Sequence, residues 1–157
     1  GGPIAREPCS GLKVSLMDCT LHEDAIHRGP AQMYPAVREG IKSAIMQSGP
    51  LLYEPLQVMR IEAPAEYTGN ISKLVSSKRG QLLEMNQEGD QVVVKAKLPV
   101  GEMLGWSSDL RSATNGRGTS ALLDQTFEKL PAELQGRIIN QIVSRKGLTA
   151  AQLGAGV

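Results

Sequence analysis

The 157 residues predict an α+β fold in two lobes. Three observations carry that prediction. Leu12 to Gln47 reads as strand, polar loop and amphipathic helix. Gln57 to Phe127 reads as strand, helix, strand, strand, helix, strand. Pro131 to Lys146 is one more amphipathic helix, which neither set needs for itself.

Gly1 to Gly11 is rich in Pro and Gly and is expected to be irregular. From Leu12 to Leu21 apolar residues alternate, with Leu12, Val14 and Leu16 on one face, as in a strand. Leu21 to Gln32 (LHEDAIHRGPAQ) is polar and broken by Gly29-Pro30. It is expected to be an exposed loop with His27, Arg28 and Gly29 at or near its tip. Met33, Val37, Ile41, Ala44 and Ile45 then recur at helical spacing. Proline is tolerated in a first helical turn, so the helix is placed at Pro35–Gln47. One strand and one helix bury too little surface to stand alone, and a lone strand has no ladder. Residues upstream of Gly1 are therefore expected to complete this lobe, in a longer protein.

In the second lobe, Gln57–Ala63 reads as a strand with Met59, Ile61 and Ala63 on one face. Pro64–Arg79 reads as a helix with Tyr67, Ile71, Leu74 and Val75 as its stripe and Gly80 at C′. Gln81–Glu88, the turn Gly89-Asp90 and Gln91–Leu98 read as a hairpin. A short helix through Met103, Leu104 and Leu110 and a strand between Thr119 and Phe127 complete the set. This order is the split βαβ, ferredoxin-like arrangement, with both helices on one face of four strands. The stripe Leu134, Ile138, Ile139, Ile142 and Val143 on the last helix needs a different surface, and Leu148–Val157 is expected to be disordered.

Composition excludes several classes. There is no apolar run of 18 residues and no signal pattern, so a soluble, cytoplasmic chain with no membrane partner is expected. Cys9 and Cys19 are too few for a disulfide scaffold and are expected to be buried or idle. His22 and His27 are five apart, roughly 140° around a helix, so they do not form a metal-binding helical pair. No phosphate-binding loop occurs, so this chain is not expected to be an enzyme and holds no cofactor of its own. Net charge is only +1, with five Lys/Arg against six Asp/Glu over 1–55 and nine of each over 56–131. Residues 132–157 carry three against one. Any RNA contact must then be local, through groups such as Arg28, Lys73, Lys78 and Arg79. Base stacking on the sheet is disfavoured, because Gln91–Leu98 carries no aromatic. Trp106 is expected in the core.

The run Asp18-Cys-Thr-Leu-His-Glu-Asp-Ala-Ile-His-Arg-Gly-Pro-Ala-Gln32 resembles the diphthamide loop of the elongation factor 2 family. Pro30 and Ala31 stand where eukaryotic members usually carry glycines, so the likeness is to the archaeal branch. Ala5-Arg-Glu-Pro8, Glu54-Pro-Leu56, Lys78-Arg-Gly80, Asp109-Leu-Arg-Ser-Ala-Thr114 and Phe127-Glu-Lys-Leu-Pro131 resemble that family too, so the likeness covers roughly residues 3 to 148. It implies the end of domain IV over 1–55, ferredoxin-like domain V over 56–131, and a helix over 132–147 returning to domain IV. It implies that His27 becomes diphthamide through dedicated synthesis enzymes, and that the loop residues His22, Asp24, His27, Arg28, Gly29 and Gln32 face RNA. It also implies a partner, the ribosome with its ribosomal RNA and the tRNA–mRNA pair at the decoding centre. GTP and magnesium would belong to the intact factor, a translational GTPase driving translocation. Asp18, Asp24 and Gln32 are expected to organise the loop through backbone N–H groups. Two other readings remain: a paralogous GTPase of ribosome biogenesis or splicing, and a stand-alone ferredoxin-like binding domain.

Overall fold

A computed structural model describes residues 1–153, and its chain divides into two units, each taken by itself below. One is Tyr53–Lys129; the other joins Gly1–Leu52 to the residues from Leu130 onward.

The Tyr53–Lys129 unit has the expected order. Strand β1 is Tyr53–Pro64, β2 Gln81–Glu88, β3 Gln91–Pro99 and β4 Thr119–Lys129. The helix of the first lobe is numbered α1 below; here α2 is Thr68–Ser77 and α3 Trp106–Ala113. The sheet runs β2-β3-β1-β4 with every neighbouring pair antiparallel. Strand β1 starts four residues earlier than periodicity suggests, because Tyr53 pairs with Lys129 across the ladder to β4. Between the pairs Val58–Asp124 and Met59–Leu122, Leu123 is an extra residue on β4, a bulge on an edge strand.

Alternation explains the core. Met59, Ile61 and Ala63 from β1 meet Val92, Val94, Ala96 and Leu98 from β3, and Ile71, Val75, Trp106 and Leu110 cover them from the helices. Ile61, Ile71, Val94 and Leu98 are fully buried. Trp106 is in this core as expected, and its indole N–H donates to Ser120 Oγ at 2.9 Å. The edge strands β2 and β4 are almost wholly exposed.

The first helix of this unit departs from its expected form at both ends. Ala65–Tyr67 is a single 3-10 turn, and α2 proper begins at Thr68. At the other end the left-handed residue is Arg79 (φ 55°), not Gly80. Arg79 N–H donates to Ser76 O at 3.1 Å and Gly80 N–H to Val75 O at 2.8 Å, the paired bonds of a Schellman cap shifted one residue earlier. Gly80 is needed for space. A Cβ there would lie 2.5 Å from Leu98 Cδ2, 2.7 Å from Val75 Cγ1 and 2.9 Å from the Val75 carbonyl. Gly80→Ala is expected to lower stability by about 2 kcal/mol through overpacking. Denaturant unfolding checks this: the midpoint should fall with the slope unchanged.

The other unit differs more from expectation. Leu12–Leu21 forms no strand; Leu12, Val14, Leu16 and Leu21 are exposed. A strand exists only through a ladder, and among the described residues no partner strand lies in this unit. Helix α1 is Pro30–Gln47, five residues longer at its start than expected. Pro30 supplies the N1 proline, whose missing N–H is no loss there, after an extended Gly29. Pro35 thus lies inside the helix, and only its bond to the Ala31 carbonyl is forfeited.

Helix α4 is Ala132–Lys146, closed by left-handed Gly147 (φ 62°) with Leu148 N–H on Val143 O at 3.0 Å. Its last side chain ties down the N-terminal segment. Lys146 Nζ reaches Ala5 O at 3.1 Å, Arg6 O at 3.2 Å and Glu7 Oε1 at 2.7 Å. Near its start, the Gln135 amide accepts from Leu52 N–H and donates to Leu52 O and Leu130 O, all within 2.9 Å. Leu130 N–H also donates to Leu52 O. Gln135 thus clamps together the two points where the chain leaves this unit and re-enters it. The tail is more ordered than expected: Thr149 and Gln152 form a reciprocal capping box around the 3-10 turn Ala150–Gln152. The expectation for 154–157 falls outside the described residues.

Candidate functional site

The loop ahead of α1 is organised by its own side chains. His22 Nδ1 accepts from Asp24 N–H at 3.0 Å, and Asp24 Oδ1 accepts from Ile26 N–H at 3.1 Å. Two i to i+2 caps thus follow each other, and they lead into the 3-10 turn Ala25–Arg28. His27 N–H donates to Asp24 O at 3.2 Å. Arg28 closes the loop on itself, Nε donating to His22 O at 2.5 Å and Nη2 to Glu23 O at 2.6 Å.

His22, Asp24, His27, Arg28 and Gln32 are all exposed, and Gly29 is half-buried. The His27 imidazole lies 4.5 Å from that of His22, centroid to centroid, with the rings inclined at 63°. Gln32 belongs to the first turn of α1, where its backbone N–H bonds Gly29 O at 3.0 Å. Asp18 Oδ1 accepts from Cys19 N–H at 2.7 Å, so Asp18 and Asp24 both hold backbone N–H groups. Among the described residues Gln32 makes no such side-chain bond. Cys9 and Cys19 are free and exposed rather than buried.

Two of the basic groups singled out in the second lobe are engaged within their own unit. Arg79 holds Glu54 with two bonds, at 3.2 and 2.9 Å, and Glu102 with one at 3.1 Å. The hydrogen bond to Glu54 chiefly raises the Arg79 pKa, against the lowering effect of burial, with Glu102 adding to the rise. Lys78 pairs with Asp109 at 2.7 Å. Lys73 is exposed and, among the described residues, unpaired. Sequence reasoning missed Gln135 and the Glu54–Arg79–Glu102 node. No local pattern marks the second, whose partners are 25 and 23 residues from Arg79.

The chain has no glycine-rich phosphate loop, and no cluster of three His, Cys, Asp or Glu side chains gathers among the described residues. No helix of the described residues is long and apolar enough to cross a membrane.

Comparison with known proteins agrees with the geometry. A family model described as elongation factor G, domain IV, matches residues 1–49, and one described as elongation factor G C-terminus matches residues 51–138. Elongation factor 2 of Nanoarchaeum equitans is 52% identical over 147 residues, covering 94% of this chain and 20% of the relative. Elongation factor 2 of Methanocaldococcus jannaschii is 50% identical over the same shares. A solved structure from Thermus thermophilus superposes with a TM-score of 0.57 at 30% identity, covering 63% of this chain and 15% of that one. The chain spans about a fifth of the length of the curated relatives it matches. Over domain IV and the C-terminal domain, this chain belongs to the elongation factor 2 and elongation factor G family.

Proposed function

We propose that this chain is the ribosome-contacting module of a cytoplasmic translocation factor, and that the loop carrying His27 reaches the decoding centre beside tRNA and mRNA. The observation that carries this reading is the presentation of His27. It stands exposed on a one-turn helix whose backbone is held by His22, Asp24 and Arg28. A loop already ordered before contact loses less entropy on meeting RNA than a floppy one. It can therefore act as a stiff wedge, with His27 supplying donors to phosphates and 2′-hydroxyls. Arg28 adds to this with the N–H groups it does not use on His22 and Glu23. Asp24 and Gly29 shape the turn, and Gln32 faces outward at the start of α1.

Diphthamide at His27, added by dedicated enzymes that need access to the ring, would lengthen that reach and bring a quaternary ammonium. Its positive charge does not titrate away. GTP and magnesium would be held by an upstream domain of the intact factor, so this chain positions RNA while hydrolysis happens elsewhere.

The test is His27→Gln in the intact factor. Single-turnover translocation should slow by up to about tenfold, the loss of one or two polar contacts, or frameshifting should rise. Ribosome-stimulated GTP hydrolysis should be nearly unchanged. Equal loss of both activities would overturn the wedge. Mass spectrometry of the factor from an archaeal host should show added mass on His27, and none on protein made in bacteria.

A further inference from the structure

The loop holds a second histidine whose role its bonds define. A backbone N–H can only donate, so the 3.0 Å contact from Asp24 N–H requires His22 Nδ1 to carry no proton. The ring is then neutral, with its hydrogen on Nε2. In this position His22 does what an Asn or Asp oxygen does in an Asx turn, and Asp24 repeats the motif two residues on. The His22 carbonyl is also tied, by Arg28 Nε. Ring and backbone of His22 are thus both anchored, and its ring packs at 63° to that of His27.

We propose that His22 is the positioning residue for His27, acting through its bare Nδ1 as the cap on Asp24 rather than as an RNA ligand. This rests on the reading of His27 as the modified, working residue of the loop. The Asp24 N–H donates to His22 Nδ1, while the Asp24 carboxylate accepts from Ile26 N–H and Arg28 donates to backbone carbonyls.

Nitrogen NMR of the whole 157-residue chain reads this directly. At pH 8 His22 should show the tautomer with the proton on Nε2, and the Asp24 amide should exchange slowly. His22→Asn supplies an oxygen acceptor at the same place, so Asp24 protection should persist. His22→Phe keeps a ring beside His27 but no acceptor, and the Asp24 amide should exchange about tenfold faster at every pH. In the intact factor from an archaeal host, the Asn variant should carry modified His27 near the unaltered level and the Phe variant clearly less. Equal Asp24 exchange in the unaltered chain and the Phe variant, or a proton on Nδ1 at pH 8, would overturn the positioning role whatever the state of His27. Absence of added mass on His27 in the unaltered factor would sink the modification reading instead, and the amide result would still decide the role of His22.

Discussion

Ile61→Ala is expected to destabilise the Tyr53–Lys129 unit by about 3 kcal/mol, the common cost of emptying a fully buried branched side chain. Ile61 is 0% exposed at the centre of the sheet, opposite Val94 on β3 and Ser120 on β4. It packs in the cluster that α2 and α3 close with Ile71, Val75, Trp106 and Leu110. Neighbours in such a core sit in fixed rotamers and fill the void only in part. Urea unfolding followed by Trp106 fluorescence reports on this unit, since Trp106 is the chain's single tryptophan and lies in that core. Ile61→Val should lose about 1 kcal/mol. An Ile61→Ala midpoint within error of the unaltered chain would contradict the packing described.

Arg79→Ala is expected to cost about 2 kcal/mol by the same measurement. It removes three charge-assisted hydrogen bonds and leaves Glu54 and Glu102 without their shared cation. The Arg79 and Glu54 side chains are 23% and 17% exposed, so solvent does not screen the pair as it would a surface one. Arg79→Lys should recover little, because an ammonium cannot span Glu54 with two parallel bonds. Arg79→Gly separates two effects: it relieves the left-handed backbone at φ 55° while losing the same bonds. It should therefore be less damaging than the alanine variant. Because the partners raise the Arg79 pKa, its contribution is complete below the ordinary arginine value and lost only as pH climbs above it. The side chain stays charged throughout the neutral range.

Most of the second lobe was legible because its signals are local and periodic. Val92, Val94, Ala96 and Leu98 alternate without interruption, and Ile71 and Val75 sit one helical turn apart. The loop was legible for another reason: its fifteen-residue string is specific to one family. Where reading failed, the deciding interaction lay elsewhere in the chain. Leu12–Leu21 has the right period, but a period does not create a partner, and those residues stay unladdered. Gly29-Pro30 reads as a break and Pro35 as a helix start, but Gly29 is the N-cap and Pro30 the first helical residue.

By itself, then, the sequence determined the βαββαβ order, the faces that make the core, and the family. Period and composition are properties of neighbours along the chain. Tertiary structure decided that Arg79 takes the left-handed cap, that Gly80 exists to clear Leu98, and that Gln135 clamps Leu52 to Leu130. It also decided that Arg28 and His22 bind the loop's own backbone. Each of these depends on which donors, acceptors and methyl groups folding brings within about 3 Å, and no one-dimensional pattern encodes that distance.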